Sequence, residues 1–176
     1  MLSVRELESW DIPVLTSYWV DADDDHLLAM GVALGKMMPR EQWYAMLSKQ
    51  LEQAYQDKQS YCIIWESDGQ AIGHCNVNKV VFGKEAYMHL HLWHKDTRLQ
   101  GRGAALVKMS LPYFFKNLEL QELFCEPYAL NPAPNKTLAK VGFTFIKEYT
   151  TVPGFLNFEQ TVNLWQLRKA DFEKMG

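Results

Sequence analysis

The chain has 176 residues, 48% hydrophobic and 22% charged, and a formal net charge of −3. These values are those of one ordinary globular domain able to bury its own core, and they exclude disordered and fibrous classes. Lys and Arg are scattered, which argues against a nucleic-acid footprint, and without a basic-plus-apolar leader or a long uncharged apolar run the expected location is the cytoplasm, away from any membrane.

Residues 2–7 read as a first strand. Asp11, Ile12 and Pro13 read as a helix start, with a carboxylate N-cap and proline in the first turn, and the helix runs to about Val20. Asp21, Asp23, Asp24 and Asp25 lack the alternation and closing glutamate of a calcium loop; they are read as capping and charging a helix that begins near His26. Residues 39–56 form an amphipathic helix with Trp43, Leu47, Leu51, Ala54 and Tyr55 on one face and Glu41, Lys49, Gln50 and Gln53 elsewhere.

Residues 60–66 and 70–79 read as a hairpin around Asp68-Gly69, with residues 87–93 pairing antiparallel to its second arm. Tyr61, Ile63, Trp65 and Ile72 mark one apolar face, and Cys62, Ile64, Ala71 and Val77 the other, so helices must cover the sheet on both sides. A two-residue turn sets Cys62 opposite Cys75, where a cross-strand disulfide is geometrically conceivable. With only three cysteines in the chain, buried free thiols are the expected state.

The centre of the chain is a strand, a glycine-punctuated turn and a helix: Tyr87 to Trp93, then Arg98, Leu99, Gln100, Gly101, Arg102 and Gly103, then apolar residues at helical spacing from Ala104 to Leu111. Helix-start amides lack intrahelical partners and sit at the positive end of the peptide dipoles. Gly101 and Gly103 let an anion approach the main chain, and Arg98 and Arg102 add charge, so the expected ligand is a phosphate or pyrophosphate. The spacing is neither Gly-x-Gly-x-x-Gly nor a P-loop.

Arg-x-x-Gly-x-Gly in this setting resembles the acyl-CoA pyrophosphate loop of the GNAT superfamily of N-acyltransferases. Residues 123–126 then read as a strand parallel to residues 87–93 through a right-handed crossover. Asn131, Lys136, Lys140, Gly142 and Phe143 match, register for register, the second signature of that superfamily, Asn-x-x-x-x-Arg/Lys-x-x-x-Lys-x-Gly-Phe. Asn131 suits an N-cap, Pro132 the first helical position and Gly142 the helix end. Residues 143–150 and 158–167 are two closing strands around Pro153-Gly154. The resemblance covers the last hundred or so residues closely and the first eighty or so in outline.

The resemblance implies one α/β (α+β) domain over residues 1–176, a GNAT-like mixed, mostly antiparallel sheet of six to seven strands with helices on both faces and a splayed central parallel pair. It implies transfer of an acetyl group from acetyl-CoA to a primary amine, on a small molecule or a protein N-terminus, by direct attack in a ternary complex. The amides of Leu99, Gln100, Gly101, Arg102, Gly103 and Ala104, with Arg98, would cradle the pyrophosphate; the main chain of Leu92, Trp93 and His94 would hold the pantetheine arm; Asn131, Asn135 and Lys136 would add side-chain contacts. Trp43, Tyr44 and the Met37-Met38 pair are either acceptor contacts or core. A monomer or homodimer is expected, and no metal, since His26, His74 and His94 lack a ligand spacing.

Alternation puts Tyr87, His89, His91 and Trp93 on one side of the strand. An imidazole, with an ordinary pKa of about 6.5, suits proton transfer from an amine. Tyr87 and His89 hold the positions of the two strand histidines of serotonin N-acetyltransferase. His89 is the preferred base and His91 the second candidate. Relatives that donate a proton to the thiolate use Tyr or Ser where this chain has Leu138 and Pro134, which leaves Tyr128 and Tyr87 as substitutes, or water as the proton source. Two branches look similar: the ribosomal-protein N-terminal acetyltransferases, and the siderophore lysine or hydroxylysine N-acyltransferases, whose Glu-Pro-Asp-x-x-Asn turn is matched from Glu126 to Asn131 except at Tyr128. A CoA-binding module without catalysis is the alternative reading.

Overall fold

A computed structural model, which describes residues 1–94 and 101–175, gathers the β-branched and aromatic runs into seven strands. These are β1 (Leu2–Glu6), β2 (Tyr61–Ser67), β3 (Gln70–Val81), β4 (Glu85–Leu92), β5 (Glu122–Cys125), β6 (Thr144–Thr151) and β7 (Gln160–Arg168). They form one sheet of order β1-β2-β3-β4-β5-β7-β6. Among the described residues the sole parallel neighbours are β4 and β5, as the resemblance implies, and the connection between them carries a helix that returns the chain to the same end of the sheet.

Six α-helices lie among the described residues: α1 (Ile12–Val20), α2 (Asp24–Ala29), α3 (Arg40–Glu52), α4 (Arg102–Pro112), α5 (Pro132–Val141) and α6 (Lys169–Glu173). On one face Leu106, Val107 and Leu111 of α4 and Leu138 of α5 pack onto Ile63, Trp65, Met88 and Leu123 of the sheet. On the other, Ile12 and Leu15 of α1 and Leu47 of α3 cover Cys62 and Ile64. None of these helices is long and apolar enough to cross a membrane.

The register departs from the simple hairpin at one point. Asp68 (φ 52°) and Gly69 (φ 76°) make the two-residue turn, and Ser67 pairs with Gln70 and Glu66 with Ala71, but Trp65 then pairs with Gly73, leaving Ile72 as an extra residue. Gly73 is required there, since a Cβ would stand 2.3 Å from the His91 carbonyl oxygen. Beyond the bulge Cys75 pairs with Ile63 and Cys62 with Asn76. The two cysteines therefore occupy opposite faces, and the disulfide geometry read from an unbroken hairpin does not arise; all three thiols are free and buried. The same shift moves Val77 to the α4 face.

Three local readings change for tertiary reasons. A 3-10 turn (Ser9–Asp11) precedes α1, and the buried Asp11 side chain makes no cap bond to α1: it accepts from Glu8 N–H at 2.9 Å across the 3-10 turn and takes Arg5 Nη1 at 2.6 Å and Nη2 at 2.9 Å, while Arg5 Nε reaches Glu66 at 2.8 Å. That pairing holds the Arg5 guanidinium well above its ordinary pKa and ties α1 to the sheet. Helix α3 ends at Glu52, so Ala54 and Tyr55 lie beyond it and are exposed, while Gln50 is buried and donates to Ser60 Oγ at 2.7 Å. Asp23 does cap α2, accepting from His26 N–H at 2.8 Å.

Leu123, fully buried on β5, and Phe145, 49% exposed on the edge strand β6, make a test of this layering. Leu123→Ala is expected to lower the melting temperature by roughly 10 °C, about 3 kcal/mol, and Phe145→Ala by no more than about 2 °C in differential scanning calorimetry.

Candidate active site

Strands β4 and β5 pair from Glu85 with Glu122 as far as Met88 with Cys125. Strand β4 then continues to Leu92, whereas the chain leaving β5 enters Pro127, which has no N–H to donate, and stays with β7 instead. Asn163 N–H donates to the Pro127 carbonyl at 3.1 Å, Ala129 N–H donates to the Thr161 carbonyl at 2.9 Å, and Tyr128 bridges to Val162. The strands part, and the opening is a cavity of about 460 Å³.

One wall of this cavity is β4, through His89, Leu90, His91 and Leu92. The facing wall is Glu126, Pro127 and Tyr128 with Asn131 and Lys136 of the helix that follows, and Gly101, Gly103 and Ala104 at the start of α4 close one end. Gly101 sits in the left-handed region (φ 65°, ψ 9°), the conformation that glycine adopts most cheaply, and immediately precedes the first turn of α4. A Cβ on Gly103 would lie 3.6 Å from Thr137 Oγ1, so α4 and α5 approach closely at this end. First-turn amides and the dipole of α4 thus meet the cavity where an anion is best held.

The structure brings together His89, His91, Leu92, Gly101, Gly103, Ala104, Tyr128, Asn131 and Lys136 as lining of one cavity. Arg98, Leu99 and Gln100 lie outside the described residues. Four expected contacts point elsewhere. Arg102 Nη1 donates to Ser67 Oγ at 3.3 Å. Trp93 N–H donates to the Ile72 carbonyl at 3.0 Å and its indole to His74 Nδ1 at 2.8 Å, and His94 is exposed and off the lining. Asn135 donates to the carbonyls of Asn131 (2.9 Å) and Tyr128 (3.3 Å) and accepts from Asn163 and Trp165 (both 2.9 Å), a knot that fixes the turn after β5. Asn131 holds the N-cap position of α5 without a side-chain cap bond; its side chain belongs to the cavity. Leu138 is buried in the core.

A second cavity of about 150 Å³ lies on the α1 and α3 side, lined by Leu15, Trp19, Trp43 and Leu47 above and His74, Asn76 and Asn78 of β3 below. Residues 154–157 close it. The two cavities share Met30, His89, His91 and Asn157, so both histidines stand at their junction. Trp43 is therefore both core and lining, Tyr44 is exposed, and Met37 and Met38 pack beside Trp19 and Trp43.

At the junction His89 Nε2 is 3.0 Å from Asn78 Oδ1, which places the imidazole proton on Nε2 and leaves Nδ1 as the basic nitrogen. Burial, reinforced by Lys79, lowers the His89 pKa to about 4, well below the ordinary value expected from sequence. His91 Nδ1 is 3.1 Å from Tyr18 Oη, and its ring stacks on His74 at 4.5 Å. Burial lowers His74 to about 3, and its Nδ1 accepts the Trp93 N–H, so it is neutral. Sequence reading missed Tyr18, residues 154–157 and the carboxylate of Glu126. Tyr149 Oη donates to Glu126 Oε1, while buried Oε2 has no hydrogen-bond partner among the described residues. The Glu-Pro pair after β5 was the available signal for Glu126; the others depend on tertiary placement.

A family model described as an acetyltransferase (GNAT) domain matches residues 2–144. No curated protein matches the sequence. Among solved structures, spermidine N-acetyltransferase of Vibrio cholerae, in complex with CoA and spermine, is 15% identical, with 98% of each chain covered and a TM-score of 0.78. A ribosomal L7/L12 α-N-protein acetyltransferase in complex with coenzyme A is 14% identical, covering 97% of this chain and 95% of that one, with a TM-score of 0.76. At such identities the likeness is one of fold.

Because His74 resists protonation when folded but titrates near 6.5 when unfolded, the unfolded chain binds the extra proton between about pH 6.5 and 3. Stability is expected to be full above pH 6.5 and to fall on acidification at up to about 1.4 kcal/mol per pH unit from this residue, a slope that His74→Gln should reduce in urea unfolding series at pH 7, 6 and 5.

Proposed function

Since the chain belongs to the acetyltransferase (GNAT) family, with acetyl-CoA as acyl donor, we propose that it acetylates a primary amine by direct attack in a ternary complex, with the donor in the larger cavity and the acceptor in the smaller. The observation that carries this reading is the position of His89, on the face where the two cavities meet and with its proton held on Nε2 by Asn78.

The residues fit the donor. The start of α4, with Gly101 and Gly103 at the cavity end and Lys136 and Lys140 on its rim, suits a pyrophosphate, and the main chain of Leu90 and Leu92 turns toward the opening on the side β5 has left. Asn131 and Tyr128 face the same space. When bound, acetyl-CoA supplies an activated thioester carbonyl.

His89 receives the proton of the attacking nitrogen. A base with pKa of about 4 does not strip a free alkylammonium, whose pKa is about 10, since a six-unit gap costs roughly 8 kcal/mol. It is matched to the nitrogen once the C–N bond is forming, when the N–H is far more acidic. The acceptor therefore enters as the neutral amine, and Nδ1 of His89 takes the proton afterward. Tyr128, on the opposite wall, is the group assigned to protonate the departing thiolate. His91, held by Tyr18 and stacked on His74, orients the junction.

Acetyl-CoA at about a hundred times its Kd is expected to raise the melting temperature by roughly 8 °C, near 2.7 kcal/mol, and Gly103→Glu, which puts a carboxylate where the phosphates sit, to abolish the shift. No shift in the wild type removes the reading. His89→Ala is expected to keep the shift and lose about 10²–10⁴-fold in kcat. In the wild type kcat/KM should rise tenfold per pH unit between pH 5 and 8 with the free amine and show no break near 6.5; a break there assigns the proton transfer to another group.

A further inference from the structure

The two cavities differ in charge. The larger is lined by Lys136, Lys140 and a single carboxylate, Glu126. Among the described residues the smaller has no Asp, Glu, Lys or Arg on its lining. Several of its polar groups are already engaged: Gln50 with Ser60 at 2.7 Å, Asn78 with His89 at 3.0 Å, and His74 with the indole of Trp93 at 2.8 Å. Burial keeps His74 and His89 uncharged at neutral pH. Trp19 and Trp43 stack on each other at 5.5 Å and 5°, so their mutual faces are not an open cage for a cation.

From this we infer that the acceptor is a monoamine bearing one uncharged, apolar, ring-sized group, which fills the smaller cavity while its amino end lies at the junction, and that polyamines are poor acceptors. The inference rests on the acetyl-transfer reading for the placement of the amine. A cavity of about 150 Å³ with Leu15, Trp19, Val32, Trp43 and Leu47 on its apolar side has room for a group the size of benzene. Nothing on its lining neutralises a second ammonium, and an unpaired charge moved there from water has no compensation. Glu126 and His89 stand on either side of the opening, one residue past the last pair of Cys125 with Met88, and the Glu126 Oε2 oxygen has no hydrogen-bond partner among the described residues. The charge pattern thus fits one amine followed by an apolar body.

The test is calorimetric titration of 2-phenylethylamine and of spermidine into the free protein and into protein saturated with CoA, with CoA binding measured first. Phenylethylamine binding at least tenfold tighter than spermidine, in whichever form binds amine, supports the inference. Spermidine binding as tightly or more tightly overturns it. If CoA binds and neither amine does, the smaller cavity is not the acceptor site and the inference fails while the family reading stands; if CoA does not bind, the reading under Proposed function fails, and the amine titration of the free protein still decides the selectivity of the cavity. Asn76→Asp, which puts a carboxylate on the lining, is expected to shift the ratio of phenylethylamine to 1,4-diaminobutane affinity at least tenfold toward the diamine; an unchanged ratio counts against the assignment.

Discussion

The parting of β4 and β5 after Met88 and Cys125 governs the rest of this molecule. Parallel strands connected through a helix would ordinarily run on side by side, and here one of them is drawn away. The pull comes from β7, which takes the Pro127 carbonyl and brackets Tyr128, and from Asn135, whose amide joins the turn after β5 to Asn163 and Trp165. A strand edge left open deep in a sheet is costly if it meets nothing, which is why the proposed reading places the donor there. The start of α4 opens on it, His89 and Glu126 flank it, and the aromatic cluster around Tyr18 closes the far side.

The sheet also sorts electrostatics. Its α4 and α5 side holds Lys136 and Lys140 beside the start of α4, and its α1 and α3 side holds a smaller chamber with no Asp, Glu, Lys or Arg among its described lining residues. His89 lies between them, and its depressed pKa follows from that position: the environment that accommodates an apolar acceptor is the one that makes an imidazolium unfavourable. In the proposed mechanism a weaker base favours transfer of the proton late, in step with bond formation, over prior deprotonation in solvent. The three neighbours Tyr18, His74 and Trp93 fix ring positions around His91 without adding charge.

What was legible in the sequence was what is encoded locally. The succession of β4 and α4, the helix after Asn131 with its proline start and glycine end, and the hairpin turn at Asp68-Gly69 each depend on a few adjacent residues, and each is present. The readings that changed depend on partners far along the chain. Asp11 looks like a helix cap until Arg5 is brought beside it; Asn135 looks like a phosphate ligand until β7 supplies two donors; the register of β2 with β3 looks unbroken until Gly73 is pressed against the His91 carbonyl. The second cavity has no linear signal at all, since its lining comes from α1, α3, β3, β4 and residues 154–157.

The extra residue at Ile72 has a further meaning for how the acceptor chamber acquires its polarity. Side chains alternate between faces with period two, so a single inserted residue exchanges the faces of everything beyond it relative to β2. In an unbulged hairpin Cys75 and Val77 would look toward α1 and α3, and His74, Asn76 and Asn78 would be driven into the aliphatic layer under α4. The amides and imidazole that line the smaller cavity are thus on that side by parity alone. Loss or gain of one residue at this point would leave composition, hairpin and helices almost untouched and yet turn the chamber inside out, which makes the spacing between Gly69 and His74 as much a determinant of this site as any residue that lines it.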